Sequence, residues 1–304
     1  RKEMGKYFKP QQIITDLLTK IPDEITTQSD LRILDPASGT GEFILNALDT
    51  FDSPRIEGWE LDEDLVKISR DILPDDVVVK NTNTLFTDSD GKYDLIIGNP
   101  PYYEIKLTDD IREEYERVIY GRTNIYSLFI YKSLTMLADG GYLAFVNPPS
   151  MNNGAYFKQL RDYIVKNCSI EHLSIHEDPE LFEGASQSIM YFVVKKGNSH
   201  NDYVFSKNDI TIFSEDASYL QDRFDGRKTL SEMGYQVTTG SLVWNQNKEA
   251  LQESPSDDTT PVIWSKNISG DSLSIGEDVH SKPQYITGVE PNFGPAVVVN
   301  RVVG

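Results

Sequence analysis

Between residues 31 and 196, short apolar runs alternate with amphipathic segments, and this alternation constrains the fold more than any other feature of the chain. Apolar runs at 31–34, 77–81, 93–99 and 141–146, and the alternating run RIEGWE at 55–60, have strand length. Between them, 43–48, 62–73, 109–120, 124–137 and 155–167 carry apolar residues at helical spacing. A further helix is expected over 7–21, with Ile13, Ile14, Leu17, Leu18 and Ile21 on one face and Pro10 in the permitted first turn. The runs 170–176 and 187–196 read as a final strand pair. Strands alternating with helices predict an α/β fold: a doubly wound, mostly parallel sheet covered on both faces. Ligands of such sheets bind beyond the C-terminal ends of the strands. DPASGTG, WELD, NTNTLF and NPPY all fall there.

Beyond residue 200 the pattern changes to short strands (202–206, 209–213, 234–240, 260–265, 295–300) separated by Asp-, Ser- and Asn-rich loops. A catalytic domain is expected over 1–200, a connecting segment over 201–227, with 214–230 linker-like, and a partial β-rich or mixed domain over 228–304. A start at Arg1 and a stop inside AVVVNRVVG suggest a fragment of a longer protein.

The formal charge is −19 and no segment is basic overall, which weighs against a simple nucleic-acid-binding module. Any contact with phosphates must therefore use local basic patches. Cys168 is the single cysteine, excluding a disulfide framework and fitting a reducing cytoplasm. His172, His176, His200 and His280 lack metal-ligand spacing, so no metal is expected. No apolar run approaches the about 18–20 residues that span a membrane.

Asp35-Pro36-Ala37-Ser38-Gly39-Thr40-Gly41 joins a strand to a helix, where glycines let the backbone approach a ligand at the positive helix end. A GxG alone also suits a plain tight turn. Phe43-Ile44 stands where a dinucleotide fingerprint needs a third glycine. Glu60 ends the next strand, where a carboxylate can hold ribose hydroxyls, although a solvated acid is the plainer reading. Together the two motifs point to a nucleoside cofactor.

Asn99-Pro100-Pro101-Tyr102 supplies the chemistry. A purine amine is a poor nucleophile because its lone pair spreads into the ring. The Asn99 side-chain oxygen and the Pro100 carbonyl could each accept one of its N–H groups and aim the lone pair at an electrophilic methyl group. Proline keeps both acceptors preorganised, and Tyr102 could stack on the base. A rival copy, FVNPPSM at 145–151, lacks the stacking aromatic and is expected to shape the turn into Met151-Asn152-Asn153.

DPASGTGEF, GWELD, DLIIGNPPY and TNIYSLFIYKSLTMLADGGYLAFVNP, in this order, resemble class I S-adenosylmethionine-dependent methyltransferases. More narrowly they resemble gamma-class (Taq-type) DNA adenine-N6 methyltransferases of restriction-modification systems. The resemblance covers residues 4–197; GYQVTTGSLVWNQNK, PVIWSKNI and KPQYI resemble the start of a target-recognition domain more weakly. It implies S-adenosyl-L-methionine as cofactor, S-adenosyl-L-homocysteine as product, and a flipped adenine in double-stranded DNA as substrate. Asp35, Ala37, Gly39 and Gly41 would hold the cofactor's methionine end, Glu60 the ribose, and Leu61, Asn83 and Phe86 the adenine ring. Asn83 departs from the acidic residue of many relatives, yet its amide oxygen can accept the same bond. Lys9 replaces the usual threonine of the first motif, beside Phe8. Phe182 would sandwich the target base with Tyr102, and Tyr103 stands nearby in sequence.

Arg112, Arg117, Arg122, Lys158 and Arg161 are candidate phosphate contacts, with Arg301 a further one. Cys168 lies far from any strand-end motif, which disfavours cytosine-C5 chemistry through a cysteine adduct. Amine methylation of cytosine N4, RNA or a protein amide are the lesser catalytic options. A catalytically silent recognition subunit of a restriction or defence complex is the non-enzymatic one. A monomer is expected, with a cognate restriction endonuclease, fused or separately encoded, as partner.

Overall fold

The computed structural model describes residues 11–89, 93–176, 188–197, 200–238, 240, 242–275, 282–290 and 296–299. The chain divides into two compact units, Arg1–Arg227 and Lys228–Gly304. Lys9, Phe8, Phe182 and Arg301 lie outside the described residues.

Helices α1 (Gln11–Leu18) and α2 (Asp23–Thr26) precede strand β1 (Arg32–Asp35), which leads into α3 (Glu42–Thr50). Then come β2 (Arg55–Glu60), α4 (Glu63–Ile72), β3 (Val78–Asn81) and β4 (Tyr93–Gly98). After β4 follow α5 (Asp109–Glu114), α6 (Ile125–Met136) and β5 (Leu137–Asn147). Helix α7 (Lys158–Asn167) and strands β6 (Cys168–His176) and β7 (Ile189–Lys196) complete the sheet. Its order is β3-β2-β1-β4-β5-β7-β6. The first five strands are parallel, and β7 runs antiparallel to both β5 and β6. The doubly wound, mostly parallel sheet expected from the alternation is therefore present.

Side-chain alternation sends residues of one strand to two cores. Leu95 and Ile97 of β4, with Tyr142, Ala144 and Val146 of β5, join the core under α1, α3 and α4. Ile96, Leu143 and Phe145 join the opposite core under α6 and α7. Burying each such side chain contributes about 1.5–3 kcal/mol, so neither face of the central strands tolerates a polar substitution. Local signals set the helix starts: the Asp62 carboxylate caps α4 by accepting from the Asp64 and Leu65 amides.

Some boundaries differ from expectation. Helix α1 ends at Leu18; Ile21 is buried in the following turn, and Pro22 caps α2. Strand β5 begins four residues early, with an irregular register opposite Tyr93 and Leu95. Helix α5 covers half of the run expected to be helical. The segment 201–227 is folded: strands β8 (Val204–Lys207) and β9 (Ile210–Phe213) form a hairpin turned at Asn208, with φ of 52°. The stretch read as a linker contains helix α8 (Ala217–Phe224), docked on that hairpin through the Phe205–Phe224 ring pair and a bond from Lys207 Nζ to the Phe224 carbonyl.

Among the described residues the strands of the second unit are short: β10 (Leu251–Gln252), β11 (Thr259–Pro261), β12 (Ile268–Ser269), β13 (Ser272–Leu273) and β14 (Tyr285–Thr287). Among the described residues neither 234–240 nor 295–300 forms a strand. Val297 and Val299 are 89% and 76% exposed; β-branched residues without a pairing strand have no ladder to join.

Candidate active site

The motifs meet at the C-terminal ends of β1, β2 and β4. Asp35 ends β1 at 1% exposure, and its Oδ1 accepts from the Ala37 amide at 3.1 Å. Burial pushes its carboxyl up to about 8. Gly39 (φ +55°) and Gly41 (φ +94°) carry the chain into α3 in conformations that side chains resist. Glu60 organises this loop. Its Oε2 accepts from the Gly39 amide at 3.0 Å and its Oε1 from the Asp62 amide at 2.8 Å, leaving lone pairs for a further donor.

Leu61 and Phe86 are 67% and 51% exposed, unusual for large apolar side chains at a sheet end. Asn81 Nδ2 holds the Leu61 turn through the Glu60 and Leu61 carbonyls. Asn83 Oδ1 accepts from the Leu85 amide, and the Thr84 hydroxyl donates to the Pro36 carbonyl. The 83–86 turn is thereby tied to the glycine loop. An acceptor carboxylate, an open glycine loop and two exposed apolar side chains form a donor set that fits a nucleoside-bearing cofactor.

Gly98, a residue the motif reading passed over, joins this loop to NPPY. A Cβ there would stand 2.7 Å from Asp35 Oδ1, at a φ of +148°, so only glycine fits. Asn99 follows half-buried and Pro100 buried. The Tyr102 hydroxyl donates to Asn99 Oδ1 and lies 2.8 Å from the Val146 carbonyl. Burial holds that phenol well above its ordinary range, so it remains a donor. The Tyr102 ring meets Tyr126 edge-on at 6.0 Å, while Tyr103 is 42% exposed.

The second copy is arranged differently. Asn147 is fully buried; its Nδ2 points to the Pro148 carbonyl and Met151 sulfur, and its Oδ1 has no hydrogen-bond partner among the described residues. Pro149–Met151 form a 3-10 turn. Ser150 and the Tyr126 hydroxyl lie 2.9 Å apart, so this copy braces the ring that packs on Tyr102.

The basic candidates differ in their surroundings. Arg122 is paired with Glu104, and Lys158 with Asp162 at 2.7 Å. Arg117 shares a cavity with Asp110, Glu113, Glu114 and Glu116. Arg112 is exposed in the last turn of α5. Arg161 is 4% exposed, and its guanidinium donates to the Thr211, Met151 and Gly154 carbonyls, which makes it a structural residue and removes it from the phosphate candidates. Cys168 is buried, its thiol pushed up to about 12 by burial. Among the described residues no group of three or more His, Cys, Asp and Glu could hold a metal, and no helix is long and apolar enough to cross a membrane.

Residues 42–182 match the family model described as Eco57I restriction-modification methylase. The Type II methyltransferase M.CvrRI of Paramecium bursaria Chlorella virus XZ-6E is 28% identical over 291 residues, which cover 94% of this chain and 74% of that protein. A Listeria monocytogenes structure described as a class I S-adenosylmethionine-dependent methyltransferase superposes with a TM-score of 0.53 at 22% identity, covering 62% of this chain and 59% of that one. The methyltransferase subunit of a type I restriction-modification system from Streptococcus thermophilus gives 0.55 at 16% identity, covering 74% and 54% respectively. The chain thus spans little more than half of these solved chains. S-adenosyl-L-methionine is the cofactor that this fold implies, and the donor set above fits it. By motif order and sequence the chain is similar to type II restriction-modification methyltransferases, and its fold is that of the class I S-adenosylmethionine-dependent methyltransferases.

Proposed function

We propose that the chain methylates the N6 amine of an adenine extruded from double-stranded DNA at a specific sequence. The observation that carries this reading is the junction of NPPY with the glycine loop: Gly98 lies against Asp35, so Asn99 emerges beside the proposed cofactor site. When bound, S-adenosyl-L-methionine supplies an electrophilic methyl group. Asp35, Ala37, Gly39 and Gly41 would hold its methionine end, Glu60 its ribose, and Leu61, Asn83 and Phe86 its adenine.

Asn99 Oδ1 and the Pro100 carbonyl accept the two N–H groups of the target amine and concentrate its lone pair on nitrogen. Both acceptors are fixed before the base arrives, so little reorganisation accompanies transfer. Tyr102 already places a hydroxyl hydrogen on Asn99 Oδ1. Base entry therefore exchanges one O–H donor for an N–H donor, and the Tyr102 ring is released to stack on the base, with Tyr103 and Phe182 as further aromatics. The amine's surplus proton leaves to water after transfer. No enzyme nucleophile takes part, in keeping with the buried, protonated Cys168.

Incubation with tritiated S-adenosyl-L-methionine and DNA, followed by digestion to nucleosides, tests the reading. Labelled N6-methyladenine is expected. Label in N4-methylcytosine would reassign the target base, and no label in any DNA tested would remove the activity.

A further inference from the structure

A chain with a formal charge of −19 can grip DNA only where it concentrates its few cations. Within residues 228–304 three of the four lysines, Lys248, Lys266 and Lys282, stand on or beside two tryptophans. Lys282 Nζ lies 4.7 Å from the Trp264 ring centroid and 5.2 Å from that of Trp244. Lys248 Nζ lies 5.4 Å from the Trp244 centroid. The two indoles meet edge-on at 6.0 Å, and Trp244 is 41% exposed. Lys266 sits two residues after Trp264, in the turn Ser265–Asn267. All three lysines are exposed.

This cluster is built rather than accidental. Asn267 and Gln284 are 1% and 2% exposed and bond to each other through Asn267 Nδ2 and Gln284 Oε1. Asn267 Oδ1 accepts from the Trp264 amide, and the Trp264 indole N–H donates to the Pro283 carbonyl. The buried amide pair thereby fixes the segment bearing Trp264 to the segment bearing Lys282. Attraction to the indole faces holds the Lys248 and Lys282 ammonium groups in place, so little of their side-chain freedom remains to be lost on binding.

Resting on the proposed DNA reading, we propose that Lys248 and Lys282, ordered by Trp244 and Trp264, form with Lys266 of the adjoining turn the surface with which residues 228–304 grip the phosphodiester backbone of duplex DNA. Fixed cations on one surface suit the regularly spaced phosphates of a duplex.

The test uses the full chain and a short fluorescein-labelled duplex titrated between about 50 and 200 mM salt. The Lys248→Gln, Lys266→Gln, Lys282→Gln variant should bind about 10-fold or more weakly. Its slope of log K against log salt should flatten by about 2.7. Near-ultraviolet circular dichroism from the packed Trp244–Trp264 pair should be unchanged, which shows that the second unit of the variant is folded. The corresponding triple Lys→Arg variant should keep both affinity and slope. Because Trp59 is 1% exposed, DNA should change tryptophan emission through Trp244 and Trp264, and a Trp244→Phe, Trp264→Phe variant should lose that change. A wild type that methylates DNA beside a glutamine variant of unchanged affinity and slope would overturn the patch while leaving the proposed function intact. DNA affinity retained together with lost binding to polyglutamate would also overturn it, in favour of an acidic protein partner. A wild type that methylates no DNA would fail at the reading beneath it.

Discussion

Asn99 and Tyr102 are coupled before any substrate arrives, because one hydroxyl occupies the acceptor assigned to the target amine. Asn99→Ala removes that acceptor and should lower the methyl-transfer rate at least about 100-fold, as loss of a preorganised polar group does in other sites. Tyr102→Phe keeps the ring and vacates the acceptor, so its rate should stay within about 10-fold. Tyr102→Ala loses stacking worth about 1–3 kcal/mol and should fall further. Single-turnover rates on saturating DNA check the order Phe above Ala; the reverse order would show that the hydroxyl, not the ring, matters. Asp35 carries a pH signature. Its folded carboxyl titrates at about 8, against about 4 in an unfolded chain. Between those values the folded state holds a proton that the unfolded state has lost, so stability falls as pH rises from about 4 to about 8. Thermal midpoints of the cofactor-free protein should decline over that range, and Asp35→Asn should flatten the decline; parallel curves would place the ionisation elsewhere. The placement of Asn99, Glu60 and Gly39 at or just beyond strand ends was legible in the sequence, because each ends or follows a strand-length run. Gly98 could not: its requirement arises from the Asp35 carboxylate of another strand.

Elements were legible where a period was strong and hidden where a contact decides. Strand β2 was expected at its observed bounds, since RIEGWE is bounded by Pro54 and the capping Asp62. Helix α8 was missed because the Asp- and Ser-rich composition around it resembles a loop, although Ala217 and Phe224 share a helical face. Its hairpin is tied to the 149–157 turns by Arg161, which donates to the Thr211 carbonyl on one side and to the Met151 and Gly154 carbonyls on the other. The same burial that removes Arg161 from the phosphate candidates makes it costly to delete. Bonds from a charged donor contribute about 1.5–3 kcal/mol each and are not additive, so Arg161→Ala should destabilise by about 3 kcal/mol. Arg161→Lys should recover only part, because an ammonium cannot reproduce the planar fork. Urea unfolding measures the loss. An unchanged midpoint with a flattened salt dependence of DNA binding would instead make Arg161 a phosphate contact.

At the scale of the whole chain, the two units are stabilised by different means. The first contains the seven-stranded sheet with apolar cores on both faces, closed by the hairpin and α8. The second has strands of two or three residues and relies on the Asn267–Gln284 amide pair and the tryptophan–lysine contacts. Meanwhile Leu230, Met233, Tyr235 and Val237 within it are more than half exposed. Sequence reading found the first unit because βα alternation repeats, and over-read strands in the second because short β-branched runs acquire meaning only through a partner strand. This asymmetry predicts how the activities separate. A chain ending at Arg227 keeps every residue assigned to the cofactor and to the target amine, so it should fold cooperatively. It should bind S-adenosyl-L-methionine within about 3-fold of the full chain, because one-site binding energy follows the contacts retained. Its DNA affinity at about 100 mM salt should drop about 10-fold or more, since it lacks the lysines proposed to supply the counterion-release contribution. Calorimetry with the cofactor and anisotropy with duplex DNA separate the two effects. Loss of cofactor binding would mean that the second unit completes the site, and undiminished DNA binding would move the grip onto the first.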